Sequence, residues 1–145
     1  MARTLEELPL YSKVLEFWQA VSATLNDSAL RRNRRLYDQI DDANDSIESN
    51  LSEGFQQPTD AAFANFVCMS KGSLEEVIKR MRQAHRKQLV TDNDLSIIVM
   101  LGEPLGKMMG GFIKYLRASG FTDRGRHHVA ATPPKPMRNP TRRNP

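Results

Sequence analysis

A di-metal carboxylate bundle needs Glu-x-x-His pairs projecting inward from two helices. The histidines of this chain are His85, His127 and His128, preceded three positions earlier by Arg82, Arg124 and Gly125, so that motif is absent. His127-His128 reads as a solvated pair. Cys68 follows Val67 with no neighbouring histidine, which suits a small core residue better than a nucleophile. A single cysteine makes neither an intramolecular disulfide nor a cysteine-rich zinc site, and so fits a reducing compartment, the cytoplasm. No glycine-rich phosphate loop follows a strand, because no strand pattern precedes one. These residues predict no enzyme, no metal and no organic cofactor.

Charge is the more informative chemistry. Lys plus Arg number 21 against 17 Asp plus Glu, and the isoelectric point is near 9.5. The excess lies in residues 120–145, where Arg124, Arg126, Lys135, Arg138, Arg142 and Arg143 face only Asp123, a net +5 that leaves the remainder at −1. Two further clusters stand out: Arg31, Arg32, Arg34 and Arg35, then Lys79, Arg80, Arg82, Arg86 and Lys87. Cations suit the end of a helix but not its beginning, so four arginines opening a helix read as a ligand-driven choice, set against an ordinary solvated face. Only Tyr37 lies near them, so phosphate contact is supported and base stacking is not.

Positioning such clusters requires helices, and residues 1–119 read as helix after helix with no period-2 pattern. Leu10, Val14, Phe17, Trp18, Val21 and Leu25 make one apolar stripe after Pro9. Asp27 or Ser28 then caps a second helix from about Ala29 to Gly54, seamed by Tyr37, Ile40, Ile47 and Leu51, with Gly54 placed to end it in a left-handed conformation. Thr59 or Asp60 caps a third, whose broad face runs from Phe63 through Val67, Leu74 and Val77 to Ala84. Thr91-Asp92-Asn93-Asp94 opens a fourth that stops at Gly120. Short links favour antiparallel neighbours, so the expected fold is all-α: an up-down-up-down four-helix bundle over 1–119, with a disordered Pro/Arg-rich tail over 120–145. The N-terminus shows no export signal. Glu103, Pro104 and Lys107 interrupt the most apolar stretch, Leu95 to Leu116, and no membrane span is expected.

The fourth helix carries Gly102, Gly106 and Gly110 at four-residue spacing around Pro104, each costly in a helix interior. Its apolar arc, which includes Met109 and Phe112, is wider than one bundle core requires. The glycines, Met109 and Phe112 are therefore expected to meet another subunit, or else the glycines admit bulky neighbours within one protomer.

On the second helix Gln39, Ala43, Ser46, Asn50 and Glu53 form a polar stripe beside the apolar seam, a pattern that usually fixes register. A binding pocket built from Asn50 and Glu53 is the alternative. The string Gln39-Ile40-x-x-Ala43-x-x-Ser46-Ile47-x-x-Asn50-Leu51-x-Glu53-Gly54, with Phe63-x-x-Phe66 and Lys71-Gly72-Ser73-Leu74-Glu75-Glu76, resembles a bacterial four-helix-bundle family. Its members are often encoded within intervening sequences of 23S ribosomal RNA genes, and the resemblance spans residues 10–118. It implies a homopentamer of antiparallel four-helix protomers. It also suggests nucleic-acid binding, through related accessory proteins of diversity-generating retroelements that partner a reverse transcriptase. Many relatives look basic just after the glutamine–aliphatic pair, whereas this chain has Asp41 and Asp42.

Two functions are therefore expected. One is a non-enzymatic oligomer that binds RNA or DNA through the nine clustered cations at one end of the bundle. The other is a protein-interaction scaffold or accessory subunit, for which Thr132-Pro133-Pro134-Lys135-Pro136 offers an extended docking segment.

Overall fold

The computed structural model describes residues 2–120. They form four α-helices, α1 (Pro9–Asp27), α2 (Arg34–Phe55), α3 (Asp60–Arg86) and α4 (Asp92–Ser119), with short 3-10 turns at Leu5–Glu7 and Ala29–Arg32. The expected tail, including the Thr132–Pro136 segment and His127-His128, lies outside the described residues. Each helix packs on its sequence neighbour, and α1 closes the square against α4. The all-α four-helix bundle expected from periodicity is the fold observed.

The core is a continuous apolar filling that no single helix could bury alone. Phe17, Leu25, Ile40, Leu51, Phe63, Leu74, Met81, Ile98 and Met109 are all essentially inaccessible. Each helix contributes at three- and four-residue intervals, which brings its apolar stripe inward. Antiparallel register between α2 and α3 is fixed by polar contacts: Ser70 Oγ donates to the Ile47 carbonyl at 2.6 Å, and Ser73 Oγ donates to Ser46 Oγ at 2.9 Å. The α3–α4 register follows from Ile78 resting against Gly102 and Leu74 beside Gly106.

Two local expectations are corrected. The second helix does not run unbroken from Ala29: a 3-10 turn ends at Arg32, Asn33 interrupts, and α2 begins at Arg34. The reason is polar competition. Ser28 Oγ accepts from the Leu30 N–H at 3.2 Å and Asn33 Oδ1 accepts from the Leu36 N–H at 3.1 Å, so each element has its own cap while Leu30 plugs the core. Gly54 does not end α2 in a left-handed conformation, since the helix continues to Phe55. Its lack of a side chain serves close approach instead: a Cβ there would lie 2.7 Å from Phe63 Cδ1 and 2.8 Å from Phe66 Cβ.

The remaining ends follow the caps read from sequence. Thr59 accepts from the Ala62 N–H, and Thr91 with Asp94 makes a reciprocal capping box. Gly120 stops α4 with φ of 71°. Asp60 takes a different part: its Oδ2 accepts from Ser119 Oγ at 2.6 Å and ties the start of α3 to the end of α4.

Pro104 lies inside an unbroken α4. By length and composition alone α4 is long and apolar enough to cross a membrane, a test that the core helix of a bundle also passes, because Glu103 and Lys107 are outweighed by their neighbours. In the bundle, one face of α4 is spent on the core through Ile98, Leu105, Met109, Ile113 and Leu116.

Candidate nucleic-acid interface

Antiparallel packing brings the 3-10 turn and the first turn of α2 to the same pole as the last turn of α3. Arg31, Arg32, Arg34, Arg35, Arg86 and Lys87 are all exposed there. Arg34 pairs with Asp38 at 3.2 Å and its guanidinium carbon stands 5.0 Å from the centre of the Tyr37 ring. The acids at this pole are partly engaged. Asp92 pairs with His85, and Asp94 accepts from the Thr91 N–H at 3.0 Å. The break at Asn33 also changes the electrostatic reading: Arg31 and Arg32 close a turn, where cations suit free carbonyls, and only Arg34 and Arg35 open a helix.

The other three cations named from sequence stand elsewhere. Arg80, half-buried, donates to Glu76 at 2.7 Å and to Gln83 at 3.1 Å. Lys79 and Arg82 turn toward α4, where Arg82 lies 3.6 Å from Glu103. The nine cations thus separate into a pole of six and a flank of three.

Lys79 and Arg82 belong to a groove of about 660 Å³ between α3 and α4. Leu74, Ile78, Gly102 and Gly106 form its floor; Arg86, Lys71 and Lys107 join the rim, against Glu75 and Glu103. Lys71 is held by Glu75 at 2.7 Å, while no ion pair within 4.0 Å is seen for Lys79, Arg86 or Lys107 among the described residues. Sequence reading missed this groove because its rim is assembled from two helices, and the signal lay in the four-residue glycine spacing that lowers its floor.

The polar stripe of α2 holds helices together. Asn50 Nδ2 donates to the Ser46 carbonyl and to Ser46 Oγ, both at 2.9 Å, and Ser46 in turn meets Ser73. Glu53 is exposed and Glu76 is engaged with Arg80. Gln39 and Ala43 are half-buried along the same edge, and Ile47 is core. Asn44, one position from Ala43, is the most buried polar residue of α2. Its Nδ2 donates to the Trp18 carbonyl at 3.2 Å, a role readable from its place in the Ile40–Ile47–Leu51 seam.

On the outer side of α2, Asp38, Asp41, Asp42, Asp45 and Glu48 fall on one face by helical spacing, and Asp45 and Glu48 reach α1. Trp18 Nε1 donates to Asp45 at 2.9 Å and Tyr11 Oη donates to Glu48 at 3.4 Å. Burial, and then the carboxylates of Asp45, Asp42 and Asp38, hold Asp41 above the ordinary carboxylate range.

Of the residues expected at a subunit interface, Gly102 and Met109 are filled from within the protomer. Met109 is fully buried, and a Cβ on Gly102 would lie 2.7 Å from Ile78 Cδ1 and 2.8 Å from Phe17 Cε1. Phe112 packs edge-on against Phe63 with centroids 5.3 Å apart. Gly106 and Gly110 face Leu74 and Lys71 of the same chain. The apolar surface that α4 does offer to solvent is Ile97, Met100, Met108 and Tyr115, between 37% and 70% exposed.

Among the described residues, no group of three or more His, Cys, Asp or Glu side chains is arranged to hold a metal. Cys68 Sγ accepts from Arg117 at 3.4 Å.

None of the curated proteins matches the chain. A solved structure is similar: a protein of unknown function from the S23 ribosomal protein family of Bacteroides thetaiotaomicron. It is 20% identical with a TM-score of 0.65, over 72% of this chain and 98% of that one, a likeness of fold. Residues 6–111, which hold the Ser46–Asn50–Ser73 seam and the Gly54 close approach, match the family described as 23S rRNA-intervening sequence protein. With most of its length inside that match, the chain belongs to the 23S rRNA-intervening sequence protein family.

Proposed function

We propose that this chain is a non-enzymatic, self-assembling protein that binds nucleic acid through its arginine-rich pole, with RNA ahead of DNA on family grounds alone. The observation that carries the reading is the convergence of Arg31, Arg32, Arg34, Arg35, Arg86 and Lys87, all exposed, at one end of the bundle. Exposed guanidinium and ammonium groups replace condensed counterions on a phosphate backbone without reading bases. Self-assembly, as a homopentamer by the family resemblance, repeats that pole and multiplies weak contacts. The uncovered stripe of Ile97, Met100, Met108 and Tyr115 supports burial against another chain. A cytoplasmic location belongs to the same reading.

Fluorescence anisotropy with a labelled single-stranded RNA, titrated with salt, tests it. The logarithm of the affinity falls linearly with that of salt concentration, and each phosphate contact removed lowers the slope by about 0.7. Charge reversal at Arg31, Arg32, Arg34 and Arg35 weakens binding across unrelated sequences. Affinity indifferent to salt overturns the mechanism.

The same exposed α4 stripe favours one other reading, an accessory or scaffold subunit, for example of a reverse transcriptase. Deleting residues 121–145 separates the two: a tail-docked partner is lost, whereas pole-mediated RNA binding persists.

A further inference from the structure

Lys79, Arg82 and Arg86 stand at three- and four-residue spacing along α3, so they share one face and repel one another. All three are exposed and line the groove between α3 and α4, with Lys107 on the opposite wall. Of these four cations only Arg82 has a carboxylate within 4.0 Å among the described residues, that of Glu103 at 3.6 Å. With Lys71 included, five cations against Glu75 and Glu103 leave the lining at +3.

The floor beneath them is apolar, and its two glycines have different causes. A Cβ on Gly102 would press on Ile78 and Phe17, so packing requires that glycine. A Cβ on Gly106 would meet only Leu74 Cδ2 at 3.6 Å, an ordinary contact. Alanine would fit at Gly106 and make the better helix. What glycine gives there is open space above Leu74, next to the half-buried Ile78.

We infer that the α3–α4 groove binds a small amphipathic anion, a phosphate or carboxylate head on a slender or flat apolar body. The volume of about 660 Å³ suits a small molecule. Register sets the ligand's direction. Ile78 meets Gly102 and Leu74 lies beside Gly106, while Arg82 and Arg86 stand one and two turns nearer the arginine-rich pole. The head therefore lies among Lys79, Arg82 and Arg86, where guanidinium groups donate paired, charge-assisted hydrogen bonds to its oxygens. The body extends over Ile78 and Gly106. Glu103, exposed and 3.6 Å from Arg82, is a weak partner that the head replaces. An anion at this point also relieves the repulsion along α3.

Nucleic acid is the poorer occupant. A phosphodiester chain gains nothing from the apolar floor and meets the carboxylates of Glu75 and Glu103 along the rim. Neither RNA binding nor assembly is needed for a small anion to lodge here.

Fluorescence titration of the full chain with 1-anilinonaphthalene-8-sulfonate, an aromatic anion that brightens in apolar surroundings, tests the inference. The expected result is saturable binding of one probe per chain, reversed by octyl phosphate or octanoate. Inorganic phosphate, which lacks the body, and octanol, which lacks the charge, compete more weakly by about tenfold or more. Lys79→Glu/Lys107→Glu removes the charge of the rim and Gly106→Leu fills the floor, and each weakens the probe by a similar factor. Circular dichroism checks that both remain helical, and Lys79→Gln/Lys107→Gln, a milder surface change, is expected to weaken it in the same direction. Arg31→Glu/Arg32→Glu at the pole and Met100→Gln/Met108→Gln on the exposed α4 stripe leave it unchanged. No saturable binding by the native chain overturns the site. So does binding that survives the groove variants but is lost with Met100→Gln/Met108→Gln, which places the probe on the stripe. Octanol competing as well as octyl phosphate overturns the anion. Single-stranded RNA displacing the probe gives the groove to nucleic acid, and binding that appears only when an assembled chain is diluted apart gives it to a neighbouring copy; either overturns a small ligand as occupant.

Discussion

Gly54 and Gly111 are both glycines in helices, yet only one is required. At Gly111 nothing stands within 4 Å of an added Cβ, so Gly111→Ala gains helix propensity and is expected to stabilise by about 0.5–1 kcal/mol. At Gly54 the added methyl meets the Cβ of Phe66, which cannot swing away as the end of a long side chain can. Overpacking exceeds the propensity gain, and Gly54→Ala is expected to destabilise by about 1–2 kcal/mol. Urea midpoints of the two variants check both signs. Ser70 makes a third case at this scale. Its hydroxyl satisfies no ladder position but donates across helices in a fully buried place, so Ser70→Ala is expected to cost about 1 kcal/mol in the same measurement.

The helices were legible because their apolar residues recur at helical intervals and nearly every boundary carries a capping side chain. What periodicity does not encode is where a polar cap defeats continuation. The run from Ala29 to Gly54 contains no proline, and its break at Asn33 depends on an amide accepting from the Leu36 N–H. Glycine at a helix end is ambiguous for the same kind of reason: it serves a left-handed stop at Gly120 and close packing at Gly54, and only the neighbour's position separates them. The cation clusters were legible as residues, but which side of α3 each one takes depends on a rotation of 100° per residue. That rotation sends Lys79 and Arg82 to α4 while Arg80 stays with Glu76.

The acidic face of α2 carries its own prediction. Asp41 binds its proton more tightly in the folded chain than in the unfolded one, through burial first and the neighbouring carboxylates second. A raised carboxylate value means that folding stability falls as pH rises from the ordinary carboxylate pKa, about 3.9, through the raised folded value. Above that window the penalty is constant; below it the penalty is absent. Asp41→Asn is therefore expected to stabilise at pH 7 by about 0.5 kcal/mol, the size of a relieved like-charge pair on a helix, with the gain vanishing below the window. Chemical denaturation at pH 7 and pH 3.5 of both proteins reads the difference.

At the scale of the whole molecule, the chain separates its surfaces by position. Arginines crown the pole formed by the loops before α2 and after α3, and the acidic and cationic edges face apart across the square. The last described residue, Gly120, leaves from the opposite pole, where Ser119 is tied to Asp60. Whole-molecule charge arithmetic gave only a small positive excess and could not show this partition, because opposite patches cancel in a sum. Mutations at the pole are expected to change RNA affinity without changing the sedimentation coefficient, whereas loss of assembly lowers RNA affinity as well, because it removes the multiplied contacts. Measuring both properties on Arg31→Glu/Arg32→Glu checks the first of these.

Gly102 joins these surfaces to the interior. Phe17 of α1 and Ile78 of α3 belong to diagonal helices, yet both come to rest on this one stretch of α4 backbone, so the diagonal of the square is gauged by a missing methyl group. The same glycine paves the groove. Its Cα hydrogen thereby acts as a spacer between α3 and α4, and the width of the cleft is dictated from the inside by how closely an aromatic ring can approach. A single added carbon there would splay the cleft without altering any charge on its rim, giving a way to detune whatever occupies it by shape alone.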